Sequence, residues 1–154
     1  MPQLSLHSPA GDLTLSEEDG ALVSLDWGWV PEQHPTALLR EAQHQLEAYF
    51  DGARQVFSLP LAPPGTAFQR RVWQELEKIP YGKTMSYGEI AQAVCSTPRP
   101  VGGACGANPI PIIIPCHRVL GARGALGGYS GDGGVETKSF LLALEGAAPC
   151  RMAS

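Results

Sequence analysis

Cys116 and His117 stand side by side in the stretch 108–119, Asn-Pro-Ile-Pro-Ile-Ile-Ile-Pro-Cys-His-Arg-Val. A thiol is a strong nucleophile as its thiolate, and a nearby histidine lowers the cost of losing the proton. The isoleucines predict a short buried strand, and the prolines at both ends forbid its extension. Adjacent side chains of an extended chain point to opposite faces, so a bridging water rather than direct contact is expected between the two groups.

A Cys-His dipeptide alone is weak grounds for catalysis, and a glycine-rich segment after it, residues 127–134, strengthens the case. Such a loop lets backbone amides line a ligand pocket, although a plain flexible loop is the alternative. Its single charge, Asp132, would point to solvent or cap the helix expected from about Glu136.

The other cysteines, at positions 95, 105 and 150, are interpreted as small apolar filler or surface residues. The sequence has no C-x-x-C and no Cys/His pair at zinc-finger spacing, so no metal site is expected. It also has no G-x-x-x-x-G-K-[ST] loop or other cofactor motif, so no cofactor is expected. Without a signal peptide, the thiols are expected to be reduced.

The 154 residues are 44% apolar, which excludes wholesale disorder. No apolar run approaches the roughly 18 residues of a membrane span, so no membrane partner is expected. The first residues lack the basic flank and apolar core of a signal peptide, which predicts a cytoplasmic location.

Charge is divided unevenly along the chain. Residues 1–64 hold two basic against nine acidic residues, a net charge of −7, whereas residues 65–154 hold nine against six, a net charge of +3. This asymmetry predicts two modules, of which only the second could attract a polyanion such as nucleic acid.

The first module is predicted to be a small antiparallel meander followed by one helix. Leu4–Leu6, Leu13–Leu15 and Ala21–Trp27 alternate or cluster apolar residues between turn signals. Thr36 is a candidate N-cap for a helix to about Phe50. The proline-rich segment 59–65 then marks the boundary between the modules.

The second module is predicted to be helical. Thr66 can cap a helix to about Ile79, and Ser86 with Glu89 forms a capping box for a short helix to about Val94. After a tight connection, Thr97-Pro98 opens a further helix to about Ala107, which completes a helix-turn-helix outline. A last helix is expected from about Glu136 to Glu145, with Phe140, Leu141 and Leu144 facing inward.

The helix from Pro98 carries glycines at 102, 103 and 106, each costing about 0.5–1 kcal/mol relative to alanine. Tight helix–helix packing is one explanation. The other is a helix kept thin so that its backbone can closely approach a narrow minor groove, about 6 Å wide.

The stretch 108–119 resembles the active-site signature of the O6-alkylguanine-DNA alkyltransferases, a family of suicidal DNA repair proteins. The similarity continues through Phe68–Trp73, Ile79–Gly82, Ser86–Ala91, Arg99–Ala104, Gly128–Gly131 and Leu141–Gly146. It is strong over residues 65–147 and holds only in outline over residues 1–64. It implies an α/β N-terminal domain (1–64), ribonuclease H-like with a small antiparallel sheet plus a helix. A mostly α, winged-helix-like C-terminal domain (65–154) with a helix-turn-helix would follow.

The resemblance implies a methylated-DNA–protein-cysteine S-methyltransferase that acts once. Cys116 would take the alkyl group irreversibly from O6-alkylguanine, or from O4-alkylthymine. His117 would be its base through a water, and Glu145 would hold the imidazole. Tyr87 would donate to the guanine ring, and Asn108 would brace the turn before the active-site strand. Glu145, Tyr87 and Asn108 also have bland alternatives: a surface carboxylate, a core aromatic and a helix C-cap.

The partner implied by the resemblance is double-stranded DNA, bound at the minor groove with the damaged base flipped out. Arg99 would fill the gap in the stack, its alternative being a solvated charge. The carbonyls of Cys116 and Val119 and the amide of Ser130 would read the guanine, in a pocket that includes Tyr129. The DNA-binding residues would be Arg99, Ser86, Tyr87, Gln69, Gly102 and Ala104. The protein would act as a monomer, with cooperative binding along DNA left open, and would lie at the nucleoid in a bacterium. The loop 127–134 would lie over the base pocket, where Asp132 would repel phosphate unless it caps the following helix.

Two other functions fit the residues without the resemblance. A Cys-His hydrolase would turn over many times on acyl esters. A DNA-binding regulator without chemistry would bind a defined sequence and would function unchanged after Cys116→Ser.

Overall fold

The computed structural model of the chain describes residues 1–121, 124–126 and 134–147. The chain divides into two compact units, Met1–Pro64 and Gly65–Ser154. In the described residues, no helix is both long and apolar enough to cross a membrane.

The first unit is a three-stranded antiparallel meander covered by one helix, as predicted. The strands are β1 (Gln3–Leu6), β2 (Leu13–Glu18) and β3 (Ala21–Trp27), in the spatial order β1-β2-β3. Alternate leucines of the sheet are buried, and α1 (Ala37–Phe50) packs on them. The hydroxyl of Thr36 accepts from the amide of Leu39 at 3.1 Å, which confirms the predicted N-cap of α1.

The described part of the second unit contains four α-helices: α2 (Ala67–Glu77), α3 (Tyr87–Ala93), α4 (Pro98–Gly106) and α5 (Val135–Leu144). The Ser86–Glu89 capping box of α3 is present, and α2 begins with a similar box between Thr66 and Gln69. At α4, Thr97 has the backbone conformation of an N-cap but makes no side-chain capping bond. Helices α3 and α4 pack together as the expected helix-turn-helix pair.

Two short parallel strands, which the sequence did not predict, join distant parts of the second unit. In them, β4 (Met85–Ser86) pairs with β5 (Val119–Leu120) in the register Met85↔Val119. This pairing places the start of α3 beside the segment that follows Cys116.

The strand predicted over Ile112–Ile114 is wrong, because the segment is a tight turn. Pro111 and Ile114 form an isolated bridge, and the amide of Ile114 donates to the carbonyl of Ile110 at 2.9 Å. Ile112, in the middle, is fully buried with φ of +75°. A β-branched residue rarely adopts such a backbone conformation, so only the surrounding packing can hold it there.

The inward face of α5 also differs from the prediction. Phe140 is 38% exposed, whereas Lys138 is fully buried together with Leu141. The buried residues of α5 are Lys138, Leu141 and Leu142, so Leu141 is the one fully buried residue among the three that were predicted to face inward.

Candidate active site

Cys116, His117 and Arg118 form a single 3₁₀ turn after Pro115. The chain is therefore not extended here, and the argument that Cys116 and His117 point to opposite faces of a strand does not apply. All three residues are buried, Cys116 being only 4% exposed. A nucleophilic side chain on a buried rigid turn has little freedom, which suits a reaction that needs a fixed line of attack.

Asn108 is hydrogen-bonded to the segment that leads into this turn. Its Nδ2 donates to the carbonyl of Ile114 at 2.9 Å, and its Oδ1 accepts from the amide of Ile110 at 3.0 Å. The amide of Cys116 then donates to the carbonyl of Ile114 at 2.8 Å. One buried side chain thus fixes the turn from Ile110 to Ile114 immediately before the thiol.

His117 and Glu145 are in contact, with 2.7 Å between Nε2 and Oε2, and both side chains are fully buried. Glu145 is also paired with Arg118, so it is a carboxylate, which can only accept. Nε2 of His117 must therefore carry the proton, and Nδ1 holds the lone pair. Nδ1 is buried and makes no hydrogen bond to the described residues.

Burial lowers the pKa of His117, and the nearby cations of Arg118 and Lys138 add to the lowering. The hydrogen bond and negative charge of Glu145 act in the opposite direction. The imidazole is neutral at physiological pH, which is the form that can accept a proton.

Tyr87, the first residue of α3, is half-buried next to the same site. Burial, with the charges of Cys105 and Cys116 nearby, raises the pKa of Tyr87 to about 12. The phenol therefore keeps its proton at neutral pH and can donate it.

Sequence reasoning missed Lys138 and assigned no role to Arg118. The Lys138 ammonium lies 5.7 Å from the centre of the Tyr87 ring and interacts electrostatically with Cys105 and Cys116. Burial lowers the pKa of Lys138. One signal could have revealed it: positions 138, 141 and 145 share a helix face, so assigning Glu145 to the site implied Lys138 as well.

Cys105 is a second buried thiol, on α4. Burial, together with the charge of Cys116, raises its pKa to about 12, and Lys138 only partly opposes this. Cys105 therefore stays protonated, in agreement with its interpretation as apolar filler.

The three glycines of α4 do not serve helix packing. A Cβ added at Gly102, Gly103 or Gly106 would meet no atom within 4 Å in the described residues. The helix packs through its other face, and the buried Trp73 Nε1 donates to the carbonyl of Ala104 at 2.8 Å. The glycine face of α4 is bare, which removes the packing explanation and favours close approach of a ligand.

A cavity of about 470 Å³ opens beside this bare face. Its lining includes Ser86, Tyr87, Arg99, Gly102 and Gly121. Four of the six residues that the resemblance assigned to DNA binding thus share one concave surface: Ser86, Tyr87, Arg99 and Gly102.

The remaining predicted DNA-binding residues are placed differently. Ala104 is 3% exposed on the packed face of α4, so its methyl group does not face a ligand, contrary to expectation. The side chain of Gln69 is used in the capping box of α2, where its Oε1 accepts from the amide of Thr66 at 2.9 Å. Ser86 Oγ accepts from the amide of Glu89, which leaves its hydroxyl proton for a phosphate.

Val119 is fully buried in β5, directly after the 3₁₀ turn. Tyr129, Ser130 and Asp132 lie outside the described residues. Within the residues that are described, no group of three or more His, Cys, Asp or Glu side chains is placed to hold a metal ion.

Comparison with known proteins matches both units of the chain to one family. Residues 67–147 match the model of the 6-O-methylguanine DNA methyltransferase DNA binding domain, and residues 4–63 match that of its ribonuclease-like domain. The constitutive methylated-DNA–protein-cysteine methyltransferase of Bacillus subtilis is 46% identical over 90% of this chain and 92% of its own length. The Mycobacterium leprae methylated-DNA–protein-cysteine methyltransferase is also 46% identical, over 92% of this chain and 90% of its own.

Solved structures show the same fold. The crystal structure of Mycobacterium tuberculosis OGT in complex with DNA superposes with a TM-score of 0.86 at 42% identity. The match covers 97% of this chain and 96% of the other. The predicted fold class, with a ribonuclease-like α/β unit before a helical DNA-binding unit, is confirmed.

Proposed function

Because the chain belongs to the 6-O-methylguanine DNA methyltransferase family, we propose that it repairs DNA by moving an alkyl group from guanine O6 to its own Cys116. The sulfur forms a bond to the alkyl carbon as the bond from that carbon to O6 breaks. The observation that carries this assignment is the buried Cys116 followed by His117, whose Nε2 is held by Glu145 at 2.7 Å. That contact leaves Nδ1 as the base for the thiol proton, through a water.

The surrounding charges suit this chemistry. Lys138 stabilises the thiolate of Cys116 as the proton leaves. Tyr87, which keeps its proton, donates to the guanine ring as negative charge develops there. The product is a thioether that none of these residues can hydrolyse, so each molecule reacts once and the protein is consumed.

Access to O6 from behind the alkyl carbon requires the base to leave the helix, at a cost of a few kcal/mol. The bare glycine face of α4 supports approach to the minor groove, and exposed Arg99 at its start supports a role as the plug of the stack. The base pocket would be completed by the carbonyls of Cys116 and Val119 and by Tyr129 and Ser130. Binding as a monomer and a cytoplasmic location remain predictions from the sequence.

The test is the intact mass of the protein after mixing with duplex DNA containing O6-methylguanine. A gain of about 14 Da on Cys116, at one methyl group per molecule, is expected for covalent transfer to a thiol. Cys116→Ser should abolish the gain while DNA binding persists, and Cys95→Ser, which removes an exposed thiol, should leave it intact. More than one methyl group removed per protein molecule would contradict the proposal.

A second test separates base flipping from alkyl transfer. Arg99→Ala should slow repair in duplex DNA far more than reaction with free O6-benzylguanine, because only the duplex needs a stack plug. Equal losses on both substrates would show that Arg99 has another role. DNA affinity should fall as salt rises and depend little on sequence.

A further inference from the structure

Arg118 is a buried cation at the centre of the site, 6% exposed and next to His117. Its Nε donates to Glu145 Oε1 at 2.8 Å and its Nη2 donates to Glu145 Oε2 at 3.0 Å. This fork-to-fork pairing is the strongest geometry available between an arginine and a carboxylate. Its Nη1 donates to the carbonyl of Ile79 at 2.6 Å.

The carboxylate of Glu145 accepts hydrogen bonds from other residues as well as from Arg118. Beyond the two from Arg118, Oε2 accepts from His117 and Oε1 accepts from the amide of Gly82 at 3.3 Å. Hydrogen bonds to the charged form of a carboxylate favour that form. Glu145 is therefore a poor acceptor for the His117 proton itself, and its role is to orient and stabilise the ring.

The turn 79–82 anchors this arrangement from the other side. The Tyr81 hydroxyl donates to the carbonyl of Leu144 at 3.3 Å, and the Arg118 guanidinium lies 5.9 Å from the centre of the Tyr81 ring. Gly82 has φ of +79°, and a Cβ there would lie 3.2 Å from the carbonyl oxygen of Glu145. The guanidinium is thus fixed between the end of α5 and a separate turn, which leaves it a single position.

Within the described residues, the charged groups that act on His117 come from three places. They are Arg118 in the same turn, Glu145 just after α5, and Lys138 within α5. Helix α2, which also packs against this turn, has a buried face of Val72, Trp73 and Leu76, all uncharged.

We propose that Arg118 is a positioning residue for alkyl transfer, because it keeps Glu145 an ionised acceptor and thereby holds His117 with its proton on Nε2 and a basic Nδ1 toward the reaction. This inference rests on the proposed function. Without the arginine, one more proton enters the His117–Glu145 pair. That proton either makes the imidazolium or neutralises Glu145 and reverses the tautomer. Both outcomes put a proton on Nδ1 and block the base.

The kinetic test measures single-turnover methyl transfer from an O6-methylguanine duplex, at saturating protein, between pH 6 and 8.5. For Arg118→Met, the rate of the variant divided by the rate of the unmodified protein should fall about tenfold as the pH is lowered to 6. This fall corresponds to an about tenfold higher proton affinity of the His117–Glu145 pair in the variant. Arg118→Lys keeps the positive charge, so its rate should be lower than that of the unmodified protein by the same factor at every pH. A ratio for Arg118→Met that does not change with pH would overturn the proposal.

A spectroscopic test does not depend on activity. Long-range ¹H–¹⁵N spectra of the protein without DNA should show His117 protonated at Nε2 and bare at Nδ1, and Arg118→Met should show Nδ1 protonated. A proton on Nδ1 in the unmodified protein would refute the inference even if Arg118→Met failed to fold. If the unmodified protein transferred no methyl group, the proposed function would be wrong. The position of the His117 proton in the two spectra would still test the role of Arg118.

Lys78→Met is the matched control. It removes the cation of an exposed ion pair with Glu75, 2.8 Å long, and so makes the same change in net charge. Neither the pH dependence of the rate nor the His117 spectrum should change.

Discussion

The two units of the chain both bury polar side chains, but of different kinds. In Met1–Pro64 most are neutral groups paired within the fold; Ser5 and Thr14, for example, share a hydrogen bond of 2.8 Å across β1 and β2. In Gly65–Ser154 the buried polar residues include His117, Arg118 and Glu145, which are ionisable. Burying hydroxyls and amides is cheap once they are paired, whereas burying charges costs several kcal/mol even when paired. The second unit, which holds the candidate active site, bears that cost, whereas the first unit buries mostly neutral polar groups.

The largest expected effect is a difference in stability loss between two substitutions, one in each unit, that each replace a buried glutamate by glutamine. Glu145→Gln should destabilise the protein by about 3–5 kcal/mol, because it leaves Arg118 buried without its carboxylate. Glu17→Gln should cost about 1 kcal/mol, since the Thr36 hydroxyl that donates to Glu17 can donate to the amide oxygen instead. Urea unfolding of both variants measures the difference. Equal losses would mean that the two buried carboxylates are equivalent and the contrast is false.

Alkylation should destabilise the second unit alone. Cys116 is buried in a tight turn, and an added methyl group in a packed site typically costs about 1–3 kcal/mol. The melting midpoint should fall after reaction, and hydrogen exchange should increase in residues 65–147 and not in 1–64. An unchanged midpoint would show that the pocket already has room for the methyl group.

Stability should depend on pH through His117. Burial lowers its pKa in the folded protein below the ordinary value of 6.5, so the unfolded chain binds the proton first. The contribution is complete above pH 6.5 and is lost as pH falls toward the folded pKa, with a slope of at most about 1.4 kcal/mol per pH unit. The unfolding free energy should be measured between pH 5 and 8 in two variants. Its dependence on pH should disappear in His117→Asn and persist in His44→Asn, which changes an exposed residue of α1. The same slope in all three proteins would assign it to other groups.

The smallest effect compares two strained backbone positions. Cys95 lies just after the C-cap of α3 with φ of +56°, a position where helices usually place glycine, so Cys95→Gly should stabilise the protein by up to about 1 kcal/mol. Asp19, with φ of +52°, precedes Gly20 in the two-residue turn between β2 and β3, a position that aspartate tolerates well. Asp19→Gly should therefore change the melting midpoint little. A larger gain at Asp19 than at Cys95 would reverse the ranking of strain.

Local signals predicted most element boundaries correctly. The N-caps at Thr36, Thr66 and Ser86 act over three residues, so their effect can be recognised in the sequence without knowledge of the rest of the fold. The two-residue turn before β3 is similarly local. These contacts form between neighbours in the chain, and tertiary packing did not displace them.

Predictions that depended on packing were less reliable. Apolar residues at 112–114 predicted a strand, but burial on all sides and the Asn108 brace hold them in a turn. The inward face of α5 was predicted from its apolar residues, and the structure exposes Phe140 and buries Lys138 instead. The spacing of apolar residues indicates that a helix has a buried face. It does not indicate which polar side chains, such as that of Lys138, the neighbouring elements will also bury.

The sequence by itself determined the family, the helix-turn-helix and the candidate pair of Cys116 and His117, because these are written in short contiguous motifs. Only the tertiary structure decided how the base is held. Glu145 receives its hydrogen bonds from residue 82 and from residues 117 and 118, segments separated by up to 63 positions along the chain. The charge of a buried group depends on every donor and cation around it, and those neighbours exist only once the chain has folded.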